Sequence, residues 1–206
     1  MAVSRLSGSK PLLRRWKLGK GDYQSITFTR KDSDVARLED LKRKIIAFEE
    51  PFSSSGYFFP KIALIEKGLR LVLKMRPSDA VKADEVGYVF SHGDSNTMLL
   101  VLNRVVAVGA IDDQKYRTLA KNLDSLKVLH ETVSFSRQVV SCRADLPAKL
   151  VAKVKEIFLN MNQTDDGRKV LETFENTTKF DEIPARDVDL VAGLRKHVHD
   201  EHKLQR

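Results

Sequence analysis

The stretch EEPFSSSGYFFP, residues 49–60, sets three consecutive serines and a glycine between a run that suits a strand and a run that suits a helix. Before it stands the apolar strand candidate IIAF (45–48). After it, a probable helix runs to Lys67, and Gly68 stands at the C-cap position. A strand that hands over to a helix through a short turn is the repeating unit of an α/β fold with a largely parallel sheet.

The flanking sequence repeats that alternation. Upstream, YQSITFTR (23–30) alternates and is rich in β-formers, and a polar turn leads to the helix-like ARLEDLKRK (36–44). Downstream, LRLVLKM (69–75) and VGYVFS (86–91) are strand candidates, HGDSNT (92–97) is a turn and MLLVLN (98–103) a buried helix. AVGAID (107–112) is a further strand, with DDQKYRTLAKN (112–122) as the helix after it. LKVLHET (126–132) and RQVVSCRA (137–144) are extended runs. From Leu146 the pattern turns helical: PAKLVAKVKEIFLNM, then DDGRKVLETFEN, then a polar final helix from about Ala185. Residues 1–22 look irregular, interrupted by Gly8, Pro11, Gly19 and Gly21. Neither an internal repeat nor a low-complexity tract occurs.

The chain has 206 residues, 42% of them hydrophobic, which suits one compact domain or two small lobes. No window approaches the roughly 18 uninterrupted apolar residues of a membrane helix. The start, MAVSRLSGSKPLLRRWK, is basic but has neither an apolar core nor a cleavage site of a signal peptide, so the chain as written is expected in the cytosol. A single cysteine, Cys142, excludes an internal disulfide. The net charge of +8 favours small anions or nucleic acid through the long-range field. The basic residues are dispersed, however, and LRRWKLGK and LKRK are short runs, so a solvated basic face is the preferred reading and nucleic acid is not an expected partner.

In sheets of this kind ligands bind beyond the carboxyl ends of the strands. Three strand–turn–helix junctions therefore matter: EEPFSSSGY, FSHGDSNT and IDDQKY. At the first, the free N–H groups of a helix start favour an anion, Ser53, Ser54 and Ser55 add hydroxyl donors, and Gly56 admits a close backbone approach. Pro60 falls in the first helical turns, where a missing N–H costs least. A phosphate-like oxyanion would use all of these donors. The alternative is an over-supplied N-cap, since one serine suffices to cap a helix. The GxxxxGK[ST] spacing of a P-loop is absent, which argues against nucleotide hydrolysis.

In order, YQSITFTRKDS, LEDLKRKIIAFEEP, SSSGYFFP, VGYVFS, NTMLLVLNRVVAVGA and VVSCRADLP resemble the phosphate/phosphite/phosphonate substrate-binding proteins of bacterial ABC transporters, from about Leu12 to Pro184. The resemblance implies the type 2 periplasmic-binding-protein fold, with three-layer αβα lobes. It implies no enzymatic activity and no cofactor. The family's Ser-Thr-Ser-Gly-Tyr ligand loop falls on Ser53, Ser54, Ser55, Gly56 and Tyr57, with serine in place of threonine. Ser91 closes the strand VGYVFS, and the position where many members carry an oxyanion-holding histidine is Asp94 here. A carboxylate there repels a phosphonate unless it is protonated or accepts from a ligand hydroxyl or amine. The family's Val-Asp-Ala-Gly-Ala segment appears as VAVGA, with Ala107 where the aspartate stands. Asp112 and Asp113 either meet a cationic ligand tail or cap the next helix. Tyr23 resembles a ligand-facing tyrosine near the first crossover, or is a core aromatic.

Carried over to this chain, the family's organisation makes residues 1–24 a remnant of the first lobe and the first crossover, and residues 25–130 a complete second lobe. Residues 131–206 are then the second crossover and a return segment. Members open with a secretion signal and the rest of the first lobe, so the chain is expected to be N-terminally truncated and periplasmic by resemblance. Lobe closure about hinges near Tyr23–Thr29 and Glu131–Arg137 would bury the anion. The implied partners are a permease and its ATPase, with self-association possible through an incomplete first lobe. Two alternatives stand beside transport: a ligand-sensing module of the same fold, and a non-functional remnant.

The remaining constellations carry little chemistry. His197, His199 and His202 near Asp200 and Glu201 form a weak metal-site pattern on a terminal helix, for which a solvated polar helix is the preferred reading. Cys142 suits a small buried residue, His130 has no triad partners, and Trp16 suits lobe packing.

Overall fold

The computed structural model describes residues 8–190 and 193, apart from 122 and 188. Along the chain run β1 (Lys10–Lys17), β2 (Asp22–Tyr23), β3 (Ser25–Arg30), β4 (Ile45–Phe48) and, after a π-turn over Ser54–Phe58, α1 (Phe59–Glu66). Then follow β5 (Arg70–Leu73), β6 (Glu85–Phe90), α2 (Asp94–Leu102), β7 (Val108–Asp112), α3 (Asp113–Leu119) and β8 (Leu126–Glu131). The last elements are β9 (Phe135–Ser136), β10 (Val139–Cys142), α4 (Ala148–Asn160), α5 (Asp165–Thr173) and β11 (Thr177–Asp181). Contacts divide them into two units, Tyr23–Ser134 and the flanking described residues on either side. The short strands β2 and β9 pair with each other.

The Tyr23–Ser134 unit is built on a six-stranded sheet of order β5-β6-β4-β7-β3-β8. All four residues of IIAF are buried, as the apolar run requires of a central strand. β4 runs parallel to β6, with Ile45 opposite Gly87 and Phe48 opposite Phe90, and parallel to β7 on its other side. β5 is parallel to β6. The sheet is less parallel than the alternating pattern suggests: β3 runs antiparallel to both β7 and β8, which a sequence pattern blind to strand direction does not reveal.

Side-chain alternation gives the sheet two apolar faces. Ile46, Phe48, Val86, Val108 and Ala110 pack with Tyr57 and Leu64 on one side. Ile26, Phe28, Ala47, Val89 and Ile111 pack with Met98 and Val101 of α2 on the other, where Tyr116 and Leu119 of α3 join them. Helices thus cover both faces, the αβα layering expected. Gly68 follows α1 with φ +74°, the left-handed C-terminal stop expected of it.

The second unit places β1 at the centre of an antiparallel sheet of order β10-β1-β11. Residues 1–22 are therefore not all irregular. Gly8 and Gly19 bracket the strand, and Pro11 sits at its start, where the register slips between Pro11 and Leu13. Leu13 packs with Leu171 and Phe180, and Phe158 meets Phe180 edge-on at 4.8 Å. Arg14 and Arg15 are both buried. Arg14 holds Asp181 through Nε and Nη2 at 2.8 and 2.6 Å and Asp22 through Nη1 at 2.5 Å, so charge pairing permits a basic residue where alternation alone does not. Trp16 is half-buried, with Lys179 Nζ 4.1 Å from its ring centre.

Two further expectations are corrected, and one strand is added. ARLEDLKRK forms only a 3-10 turn over Leu38–Leu41, because Lys42 is extended and Arg43 adopts φ +67° before β4 begins. HGDSNT is not all turn: α2 starts at Asp94, and the Thr97 N–H donates to the Gly93 carbonyl at 2.9 Å. Thr177–Asp181, which carries only a weak alternation, is a strand because β1 offers it an edge. Cys142 is half-buried, and the cluster around His197, His199 and His202 lies outside the described residues.

Gly109 in β7 is a close-packed point beneath α2. A Cβ there would lie 2.7 Å from Thr97 Cγ2 and 3.0 Å from Phe28 Cζ. Gly109→Ala is expected to destabilise the protein by about 1–3 kcal/mol, as overpacking does, read as a lower urea midpoint at an unchanged slope. An unchanged midpoint would show that α2 can give way freely.

Candidate functional site

Because β6, β4 and β7 are neighbouring parallel strands, their carboxyl ends deliver the three junctions side by side. All lie within the Tyr23–Ser134 unit.

The serine junction is closed by its own chemistry. Ser53 takes the extended conformation of an N-cap, and its Oγ accepts from the Gly56 N–H at 2.9 Å. The same hydroxyl donates to Glu49 Oε2 at 2.5 Å. The Glu49 N–H donates to the Gly56 carbonyl at 3.0 Å, stitching the strand end to the turn. A Cβ on Gly56 would stand 2.4 Å from Glu49 Cβ and 2.6 Å from Glu49 Oε2. The space that glycine opens is thus filled by a carboxylate. Ser54 is exposed and Ser55 buried, and Pro60 sits in the first turn of α1.

Tyr57 goes inward. Its ring is 4% exposed and packs against Phe48, Tyr88 and Phe90 at 5.2, 5.9 and 5.0 Å. Its hydroxyl accepts from Lys61 Nζ at 2.6 Å. The ring is thus a buried core residue, packed on Phe48 and Phe90 where β4 and β6 end.

At the second junction Ser91 acts as a strut. Its Oγ donates to the Phe48 carbonyl at 3.1 Å and lies 2.6 Å from Thr97 Oγ1. His92 adopts φ +61°, and its Nδ1 is 3.2 Å from Glu50 Oε1. Asp94 opens α2, and its Oδ1 is buried with no hydrogen-bond partner. Burial pushes the Asp94 carboxyl up to about 6; the charges of Glu49 and then Asp112 push the same way, against Lys115.

At the third junction Asp112 caps α3, accepting from the Gln114 and Lys115 N–H groups at 2.8 and 3.1 Å through one oxygen. Asp113 is buried, with Arg117 at 3.9 Å and the Gln24 N–H at 3.4 Å. Tyr23 is half-buried on β2, two residues before Ser25. Ser25 lies opposite Asp112 in register, fully buried, with its Oγ unpartnered.

The structure thus brings Ser53–Gly56, Ser91, Asp94 and Asp112 to one end of one sheet and takes Tyr57 into the core. Sequence reasoning missed Glu49 and Ser25. The signal for Glu49 was present: a charged residue directly after a four-residue buried strand falls where ligands meet such sheets. No local signal distinguishes Ser25 from Thr27 and Thr29, its partners on the same strand face. A cavity of about 540 Å³ opens by Leu73, Met75, Phe90, Ser91, His92 and Asn96, but none of Glu49, Ser53–Gly56, Asp94 or Asp112 lines it. Among the described residues no cluster suits a metal ion, and no helix is long and apolar enough to cross a membrane.

The family model for the ABC transporter, phosphonate, periplasmic substrate-binding protein matches residues 1–188. The chain belongs to that family. It is 24% identical over 204 residues to the phosphonates-binding periplasmic protein of Escherichia coli K12, covering 90% of this chain and 57% of that one. It is 27% identical over 146 residues to the phosphate-import protein PhnD of Mycolicibacterium smegmatis, covering 68% of this chain and 44% of that one. It therefore spans about half the length of these relatives. In fold it is similar to a Xanthomonas citri protein solved bound to ATP, with a TM-score of 0.86 at 22% identity over 93% of this chain and 72% of that one. The fold is that of the type 2 periplasmic binding proteins.

The raised Asp94 carboxyl has a measurable consequence. The unfolded chain releases this proton near the usual 3.8, the folded chain only near 6. Stability therefore falls as pH rises through that window, and the penalty is complete above it. Asp94→Asn is expected to raise stability at neutral pH by roughly 1–2 kcal/mol, less than the full shift because the side chain keeps some contact with water. Urea midpoints of variant and wild type should differ more at about pH 7 than at about pH 4.5. A gap that does not grow with pH contradicts the assignment.

Proposed function

We propose that this chain binds a small tetrahedral oxyanion of the phosphate, phosphite or phosphonate class, as the solute-binding component of an ABC transporter. The observation that carries the reading is the convergence of three strand–helix junctions on one end of the β6-β4-β7 core, with Ser53, Ser54 and Ser55 stacked at the start of one of them. Free N–H groups and hydroxyls there favour negative charge. The relatives' names and ligands share that chemistry: phosphonates, phosphate and the phosphates of ATP. Ser54 and Ser55 are the donors offered to the anion, Ser53 joins them once it leaves Glu49, and Asp94 and Asp112 meet any cationic or protonated part of the ligand.

A permease and its ATPase are the partners that go with this role, and a periplasmic location follows the relatives. Self-association is a further part of the reading. No residue of α4 is fully buried, and Leu150 and Ile157 are each about half exposed, a face suited to another chain.

Titration calorimetry with phosphate, phosphite, 2-aminoethylphosphonate and ATP tests the reading. At least one is expected to bind, and replacing Ser53, Ser54 and Ser55 together by alanine should weaken that binding by about 10- to 100-fold, the worth of lost hydrogen bonds to a charged group. Unaltered binding in the triple variant, with the fold intact by circular dichroism, removes the serine junction from the site.

A further inference from the structure

The amino ends of β4 and β7 border a polar cavity of about 550 Å³, at the end of the larger sheet away from the serine junction. All of it lies within the Tyr23–Ser134 unit. Arg30, Arg43, Lys44 and Arg104 line it, together with the carboxylates of Asp32, Asp34 and Asp79. Those carboxylates are already engaged. Asp32 accepts from Arg30 at 2.9 Å on each oxygen and from Arg104 at 2.7 Å. Asp34 accepts from Lys44 at 2.7 Å, and Asp79 from the Met75 and Arg76 N–H groups at 2.9 and 3.0 Å. Donor capacity is left over. Arg104 and Lys44 each spend one N–H on these contacts, and among the described residues the Arg43 side chain takes no hydrogen bond or ion pair.

The backbone sets these two arginines apart. Arg104 stands just past the C-cap of α2 with φ +60°, and Arg43 just past the C-cap of the 3-10 turn Leu38–Leu41 with φ +67°. Gly68 fills the same place after α1, at φ +74°. Glycine takes that conformation freely, whereas a residue with a Cβ pays in free energy for it. The turns therefore call for glycine, and the arginines at two of them, both lining one cavity, answer to their charge. Guanidinium forks match the paired oxygens of a sulfate or phosphate, and like charges gathered in one place are relieved when an anion lies among them. We infer that this cavity is a second anion site, in which Arg43 and Arg104, with Lys44 beside them in the lining, hold a small oxyanion of the sulfate or phosphate kind. It shares no residue with the serine junction, so the two ends of the sheet bind independently.

Sodium sulfate titrated into the isotope-labelled full chain at constant ionic strength, followed by nuclear magnetic resonance, tests this. The amide signals of Lys44, Ile45, Val105 and Val106 are expected to shift and to saturate together. Combining Arg43→Gly with Arg104→Gly should raise the midpoint of that curve by about 10- to 100-fold, the worth of charge-assisted hydrogen bonds to the anion. The urea midpoint of the double variant should stay close to that of the wild type, because glycine suits both left-handed positions. A drift without saturation, as salt screening gives, overturns the site. So does saturation in the double variant at an unchanged midpoint. Replacing Ser53, Ser54 and Ser55 by alanine should leave the curve at Lys44 and Val105 as it was, and its loss there overturns the independence of the two ends. Saturation confined to the serine junction overturns the second site and leaves the oxyanion reading standing. The wild-type curve needs no substitution, so it can refute the site even where the double variant does not fold.

Discussion

Everything at the carboxyl end of the larger sheet depends on β4 lying parallel between β6 and β7. That placement follows from burial. Ile45, Ile46, Ala47 and Phe48 are each under 8% exposed, and their alternation feeds both apolar layers at once. A strand with no polar side chain is stable only in the interior of a sheet, where neighbours satisfy its backbone on both sides. Once β4 is central and its neighbours are parallel to it, three chain reversals must occur at the same end. The chemistry found there is that of the reversals: a triple serine, an aspartate opening α2 and an aspartate capping α3.

The chain shows its fold more openly than its site. IIAF matches β4 residue for residue, and the strands before and after the serines fall within a residue or two of their apolar runs. Such runs are legible because period and composition are local. The failures have a non-local cause. Residues 1–22 looked irregular because Gly8, Pro11, Gly19 and Gly21 interrupt any period; the strand Lys10–Lys17 forms there with Arg14 and Arg15 paired to Asp22, Asp181 and Glu175, far away in sequence or across a turn. Thr177–Asp181 is a strand only because β1 lies beside it. The direction of β3 is likewise decided by β7 and β8, not by SITFTR itself.

The same division separates what the serine motif disclosed from what it concealed. Three hydroxyls at a helix start were legible as donors. That the first of them is both an N-cap acceptor and a donor to Glu49 follows only from the turn that brings residues 49 and 56 together. Both readings of Asp112 were open from the sequence, and the structure uses the residue as a cap. Tyr57 was drawn toward the ligand loop by its place in a motif. Its ring instead completes an aromatic cluster with Phe48, Tyr88 and Phe90 in the apolar layer under α1.

Charge acts here on two length scales with opposite signs. The whole chain carries +8, and at physiological salt such a field acts over about 8 Å from the surface, enough to raise the local concentration of any small anion. Around Asp94 the balance reverses: burial first, and then the charges of Glu49 and Asp112, raise its carboxyl to about 6. Glu49 directly follows β4, Asp94 opens the helix after β6 and Asp112 ends β7, so the order of the buried strands, and not the overall composition, sets the local sign of charge at this end of the sheet.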